Sequence, residues 1–379
     1  MNTFIQMLRT SLTAVGLGVL ATAGQLGYAA TCYVSPTGSD TNPGTTISAP
    51  WQTVQHAFNS VQAGDTVEFR AGIYGATRTV AGTLQTSGTS NNNRITFTNY
   101  GGEVAVIEGT INVGFYSNQC TSSSTCVAYV TFQGTPSIGA GLVFEGPVYP
   151  GGGVVEVMGA HDVTFDHVEI RNGNYHAGFY QYGGYNIKLL DSYIHDNGVP
   201  GSNLDQGIYW DETRGGGNLI ANCVIERNAA QGIALYSGSS SSEPSQVTIE
   251  ENTIVDNGHY GISVYGTRNI LVNNILANNG AAFHSAQLGI EHGTNHFVDA
   301  NILWSSTALQ QGMYNATGQR VTHSIIRNPL FADPAKHDYH LLAGSPAIGA
   351  GNPRYASPLD RDGIKRSSVP EIGAYGYHP

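Results

Sequence analysis

From Tyr175 to Asn301 the chain keeps returning to one pattern, a Gly followed by a short run in which apolar and polar residues alternate. The anchors are Gly178 to Tyr182, Gly207 to Asp211, Gly232 to Tyr236, Gly261 to Tyr265 and Gly289 to Gly293, and their glycines lie 29, 25, 29 and 28 residues apart. A second run follows each of the first four: Ile187 to Asn197, Leu219 to Asn228, Val247 to Asn257 and Ile270 to Asn279. Alternation with period two marks a strand with one face buried. Short strands at such a repeat, without a helical period, are the coils of a solenoid. The predicted fold is all-β, a single-stranded right-handed parallel β-helix with an N-terminal capping helix. A leucine-rich solenoid would need a Leu consensus that the repeat lacks. About eight to ten coils are expected, stacked ~4.8 Å apart, with Gly178, Gly207, Gly232, Gly261 and Gly289 in one column. Asn252, Asn274 and Asn301 should form an inward ladder that satisfies the backbone at a turn.

An open solenoid end exposes unpaired strand edges, so both ends need covers. Pro50 to Val61 reads as a helix with Trp51, Val54, Phe58 and Val61 on one face, a plug for the first coil. Residues 328–379 lose the repeat and read as a closing segment. Residues 30–379 are then one domain, with 30–75 as the cap and first coil.

The first 29 residues carry Arg9, an apolar run from Leu12 to Ala23, and small residues before Ala30, which together read as a secretory signal. The run is too short to cross a bilayer, and no later segment is apolar enough. A secreted protein is expected, extracellular or periplasmic, without a membrane span and monomeric. The net charge of −11 argues against nucleic acid and anionic membrane surfaces, and mildly against a polyanionic substrate. Of the four cysteines, Cys120 and Cys126 bracket a short Ser/Thr loop and are expected to form a disulfide. Cys223 stands where later repeats carry Asn and reads as a buried thiol, with a bridge to Cys32 the alternative.

The segments Tyr33 to Asp40, Asn42 to Thr45, Pro50 to Thr53, Ala63 to Val67 and Gly72 to Tyr74 resemble the N-terminal block of secreted pectate-lyase-like β-helix proteins. Family 9 pectate lyases and many relatives share it. Arg94 to Phe97, Tyr100 to Glu103, and the tail pieces Asn328 to Phe331, Ser345 to Ile348 and Glu371 to Tyr375 continue the likeness. The resemblance implies an extracellular polysaccharide as partner. Family 9 lyases also use a Lys and a calcium-binding Asp cluster. Here only Lys188, Lys336 and Lys365 occur, none in the matching context. A weaker similarity to mannuronan epimerases runs through Asp191 to Gly198 and places Asp211 where they hold an Asp, but their Asp-Pro-His signature is missing.

If the residue after each anchor Gly points inward, the outward rows read Tyr180, Tyr209, Ala234, Ser263, Glu291 and Tyr182, Asp211, Tyr236, Tyr265. A Tyr stripe suits stacking on sugar faces. Asp205, Asp211 and Glu212 gather on the same face, could hold calcium, and supply acid or base; Asp205 with Asp211, or Asp211 with Glu212, is the pair that could reach hydrolytic spacing, and Glu291 is too many rungs away. His176, Tyr209 and Tyr182 could move a proton, and Arg214 could face a sugar carboxylate. His195 reads as part of the turn consensus, His292 as a core residue. The leading reading is a polysaccharide lyase acting by β-elimination on a uronate chain. Its rivals are a glycoside hydrolase using the Asp pair and a non-catalytic glycan-binding protein.

Overall fold

The computed structural model describes residues 29–115, 126–136, 141–236 and 246–379. The signal segment, up to its last residue, lies outside them. The chain winds as a parallel β-helix with three faces. The first face is one sheet of eleven strands, from Thr31–Val34 through Tyr185–Leu190 to Val321–Thr322, each hydrogen-bonded to its neighbour one coil away. That is more coils than the eight to ten expected, because the weakly patterned stretches before Tyr175 also form rungs. The second face runs from Leu142–Glu145 through Tyr193–His195 to Ile302–Trp304, the third from Val155–Met158 through Gln206–Asp211 to Met313–Asn315. The long strand Ala105–Gly114 belongs to both of these faces, pairing with the first strand of each.

The alternation read from the sequence holds inside this solenoid. Phe179, Ile208, Trp210, Ile233, Leu235, Ile262 and Val264 point inward and are buried. In the N-terminal half the first-face column is aromatic: Phe97 and Phe132 stack at 5.0 Å between ring centres, Phe132 and Phe165 at 4.7 Å. The expected Asn ladder is present, with the Nδ2 of Asn252 donating to Oδ1 of Asn274 and that of Asn274 to Asn301, both at 3.0 Å. Cys223 occupies the next place in that column, its N–H donating to Asn252. A second ladder joins Asn197, Asn228, Asn257 and Asn279, with Nδ2 to Oδ1 distances of 2.9 Å. Both ladders place an amide where the strand has turned away and left carbonyls unpaired.

Three expectations need correction. The capping helix spans Val54–Ser60, not Pro50 to Val61, because the Thr53 hydroxyl accepts from the His56 N–H and starts the helix there. Trp51 instead bridges to Val34 as extended chain, and Phe58 meets Phe97 edge-on at 4.9 Å. The column of glycines breaks at its last member: Leu288 pairs with Ile262 and Gly289 with Ser263, a slip of two residues. The tail has its main apolar packing on the side of the solenoid and not across its open end. It lies along the second face, where Tyr339, Leu341, Ala347, Ile372 and Ala374 cover Val224, Val255, Ile275 and Ile302 in an apolar cluster of its own. These outward positions of the second-face strands are apolar because the tail keeps them dry.

Cys32 and Cys223 are both buried and free, which removes the bridge between them. Burial pushes their thiols up to about 11 and about 12. Cys120 lies outside the described residues, so its pairing with Cys126 stays an expectation. Alkylation of the native protein should leave Cys32 and Cys223 unmodified, and unfolding without reductant should expose two thiols. Four reactive thiols would rule the disulfide out.

Candidate active site

The outward rows of the third face follow from strand register. Glu156 pairs with Tyr180, Tyr180 with Tyr209, Tyr209 with Ala234 and Ala234 with Ser263. The adjacent row runs Met158, Tyr182, Asp211 and Tyr236. The two-residue slip carries Glu291 out of the first row into the second, next to Tyr265. The Glu291 N–H donates to the Val264 carbonyl, and Tyr265 is raised by burial and by its hydrogen bond to Glu291. The same slip places Ile290 inward and leaves His292 exposed beside Tyr265, not in the core.

The rings form a continuous run. Tyr180 and Tyr209 stack at 5.3 Å, Tyr209 and Tyr236 at 6.1 Å, and Tyr236 and Tyr265 meet at 5.4 Å with a tilt. Tyr180 is 8% exposed and packs with Met158 and Ala177, so it supports the run from below, and the accessible platform begins at Tyr209. Tyr236, 38% exposed, offers the most open ring. A cavity of about 430 Å³ opens over these rings, lined by Tyr209, Tyr236, Tyr265, Glu291, Gln206, Gln231 and His176. That volume lies in the range of small-ligand sites.

His176 forms one wall. Its ring meets Tyr180 edge-on at 4.5 Å and Tyr209 at 5.1 Å. Nδ1 is buried without a hydrogen-bond partner among the described residues. Burial lowers its pKa, against the opposing pull of Asp205, so the imidazole is mostly neutral near pH 7. Its left-handed backbone (φ 52°) is set by the turn it occupies.

The acids divide by role. Both oxygens of Asp205 accept backbone N–H groups, from His176 at 3.1 Å and Val199 at 3.0 Å. Asp205 therefore ties the turn before its strand to the previous coil. Glu212 closes onto Arg214 at 3.0 Å, which satisfies the charge expected to meet a sugar carboxylate. Asp211 keeps its outward place in the Tyr row. The strand Gln206–Asp211 separates Asp205 from Asp211 by about six residues, roughly 20 Å of extended chain, so that expected pair is not assembled, and Glu212 is engaged by Arg214. Glu291 is three rungs from Asp211, about 14 Å, beyond either hydrolytic spacing.

Calcium needs about six to eight converging oxygen ligands. Asp205, Asp211 and Glu212 do not fit that demand, since two of the three are engaged by amides and by Arg214. Among the described residues, Asp166, His167 and Asp191 do bring three possible ligand atoms within 4.8 Å of one another. They sit at the corner between the first and second faces, where burial, with Asp166 adding to it, pushes Asp191 up to about 6. No part of the groove adjoins that corner in strand order.

Some residues of this face escaped the sequence reading. Glu156 is buried, raised by desolvation, and accepts from the Gly153 N–H at 2.8 Å. Its strand lacks the Gly-apolar anchor, so nothing in the repeat marked it. Gln206 and Gln231 flank the anchors and could have been read as the positions just before each Gly. His195, read as structural, sits on the second face between Glu169 and Asp196, which is a structural setting.

A model of the Pel9A-like right-handed β-helix region matches residues 32–323. The chain belongs to this Pel9A-like family. It is 27% identical over 325 residues to pectate lyase L of Paenibacillus polymyxa (strain SC2), a match covering 80% of this chain and 68% of that protein. Over 77 residues it is 46% identical to the uncharacterized protein YwoF of Bacillus subtilis (strain 168), covering 20% of this chain and 15% of that one. The crystal structure of pectate lyase Pel9A superposes with a TM-score of 0.62 at 15% identity, covering 93% of this chain and 98% of that one. This Pel9A-like chain nevertheless carries no Lys on the groove: Lys188 is on the first face, Lys336 pairs with Asp333, and Lys365 is in the tail. No described helix is long and apolar enough to cross a membrane.

Proposed function

We propose that this protein is an exported polysaccharide lyase that cleaves a uronate-containing chain by β-elimination in the Tyr-lined groove. The observation that carries the reading is His176, a half-buried imidazole in the wall of an aromatic trough, with its Nδ1 enclosed and its pKa held below the ordinary value by burial. His176 takes the proton from the sugar carbon beside the carboxyl group, and Tyr209, whose ring it touches, delivers one to the departing oxygen. Tyr236 and Tyr265 stack on sugar faces, and Asp211 accepts from sugar hydroxyls and fixes the reacting ring along the row. Its relatives, a pectate lyase by name and a Pel9A-like family, support the same chemistry. The test is a panel of polysaccharides followed by ultraviolet absorbance of unsaturated ends and, in parallel, by reducing sugar. Reducing sugar without absorbance would replace the lyase by a hydrolase; binding without either would leave a glycan-binding protein.

On the best substrate, Asp211→Asn should lower kcat and kcat/KM together by about a hundredfold, the pattern of an interaction made in the transition state. Tyr236→Ala should chiefly raise KM, by about three- to tenfold, with kcat little changed. Near wild-type turnover by Asp211→Asn would remove Asp211 from the site.

A further inference from the structure

We infer that the groove takes a polyuronate whose carboxyl groups are uncharged, as methyl esters are, in preference to the polyanion. This rests on the lyase reading above and assigns the charge state of its substrate. Among the described residues no Lys or Arg lines the cavity. Arg214, in the turn after Asp211, is closed onto Glu212, and Arg268, exposed in the turn after Tyr265, is not among the lining residues. The charged side chains on the outward row are acids, Asp211 and Glu291, with Tyr236 and Tyr265 between them. The other polar lining is hydroxyl, amide and imidazole, from Tyr209, Ser263, Asn203, Gln206, Gln231 and His176, and Leu204, Ala234 and Leu235 are apolar.

β-Elimination makes a definite demand on such a site. The base removes the proton from C5, the C5–H electron pair becomes the C4–C5 double bond, and the C4–O bond breaks. The departing oxygen leaves with a proton from the acid. The protonated base and deprotonated acid then exchange a proton with water, and no oxidant or reductant takes part. In the polyanion the electron density left at C5 spreads onto a carboxylate that is already negative, so a cation must absorb it. An ester carbonyl absorbs it without a cation and has the more acidic neighbouring proton. Hydroxyl and amide donors suit that carbonyl. A free carboxylate entering between Asp211 and Glu291 would meet like charge in a partly dry trough, which disfavours it specifically.

The experiment uses the full-length mature protein, highly methyl-esterified polygalacturonate, and the same polymer after saponification. Each is assayed by ultraviolet absorbance with a chelator and with added calcium. The expected result is kcat/KM at least about tenfold higher on the esterified polymer, unchanged by chelator or calcium. Glu212→Gln, which releases Arg214, should narrow the preference by raising activity on the saponified polymer. Faster elimination on the saponified polymer, or elimination that needs calcium, overturns the inference and leaves the lyase reading standing. Absorbance from neither polymer, with reducing sugar released, overturns both.

Discussion

Replacing His176 by Gln is expected to lower kcat/KM by about a hundred- to ten-thousandfold, or about 3 to 5 kcal/mol of transition-state stabilisation. The amide keeps the polar shape of the ring edge against Tyr180 and Tyr209 but cannot accept and return a proton. The pH profile gives a second reading of the same group. The base works when neutral, so activity is full above the folded pKa of His176 and falls as pH drops through it. Burial holds that pKa below the ordinary 6.5, with Asp205 opposing, so the acid limb of kcat/KM should lie below pH 6.5. The limb should vanish in His176→Gln. A variant that keeps more than a tenth of wild-type kcat/KM, or a limb that survives the substitution, would assign proton transfer elsewhere. The sign for stability follows from the same depression. The unfolded chain binds the proton more tightly, so stability contributed by neutral His176 is lost as pH falls from about 6.5 to the folded pKa and is constant below it.

The second large effect is structural. Asn257 is fully buried and accepts from the N–H and Nδ2 of Asn228 at 3.0 and 2.9 Å. It donates to the carbonyls of Ile225 and Val255 and to Oδ1 of Asn279 at 3.0, 3.1 and 2.9 Å. Asn257→Ala removes this amide from the middle of a ladder and strands groups above and below it in the interior. At about 1–3 kcal/mol per buried orphan, partly relieved by relaxation, the loss should be about 3–5 kcal/mol. Urea unfolding followed by circular dichroism measures it, with Asn92→Ala on the exposed surface as the control. A loss under about 1 kcal/mol would mean that the ladder is decorative. The other ladder shows what the position tolerates: Cys223 ends it by donating its thiol to the carbonyls of Ala221 and Leu189 at 3.3 and 3.5 Å. A terminal place leaves fewer groups to satisfy than a central one does.

The repeat made the solenoid legible because each coil buries the same inward positions and must therefore spell them in the same alternation. The first Asn ladder was legible for the same reason: an amide at a turn recurs at the period of the turn. The Tyr stripe, Asp211 and His176 could be placed on one face from strand alternation alone. Coil number was not legible, because rungs before Tyr175 use Phe, Thr and Val without a Gly anchor. Nor was the fifth register. Gly289 repeats the motif, yet Leu288 fills the inward place opposite Ile262, and the choice between two apolar residues is made by packing against the coil below. That two-residue slip moved Glu291 into the row of Asp211 and took His292 out of the core. Charges were the least legible. Glu212 reaches Arg214, and Asp205 reaches two backbone amides, through turn conformations that no residue spacing encodes. The tail likewise reads as a closing segment by composition, but its apolar residues pack along the side of the solenoid, on the second face. Outside the fifth coil, sequence alone thus determined which residues of the repeat face inward and which face out, since burial repeats with the coil. Tertiary structure decided which outward charges are already spent on one another, since pairing depends on where each turn delivers its side chain.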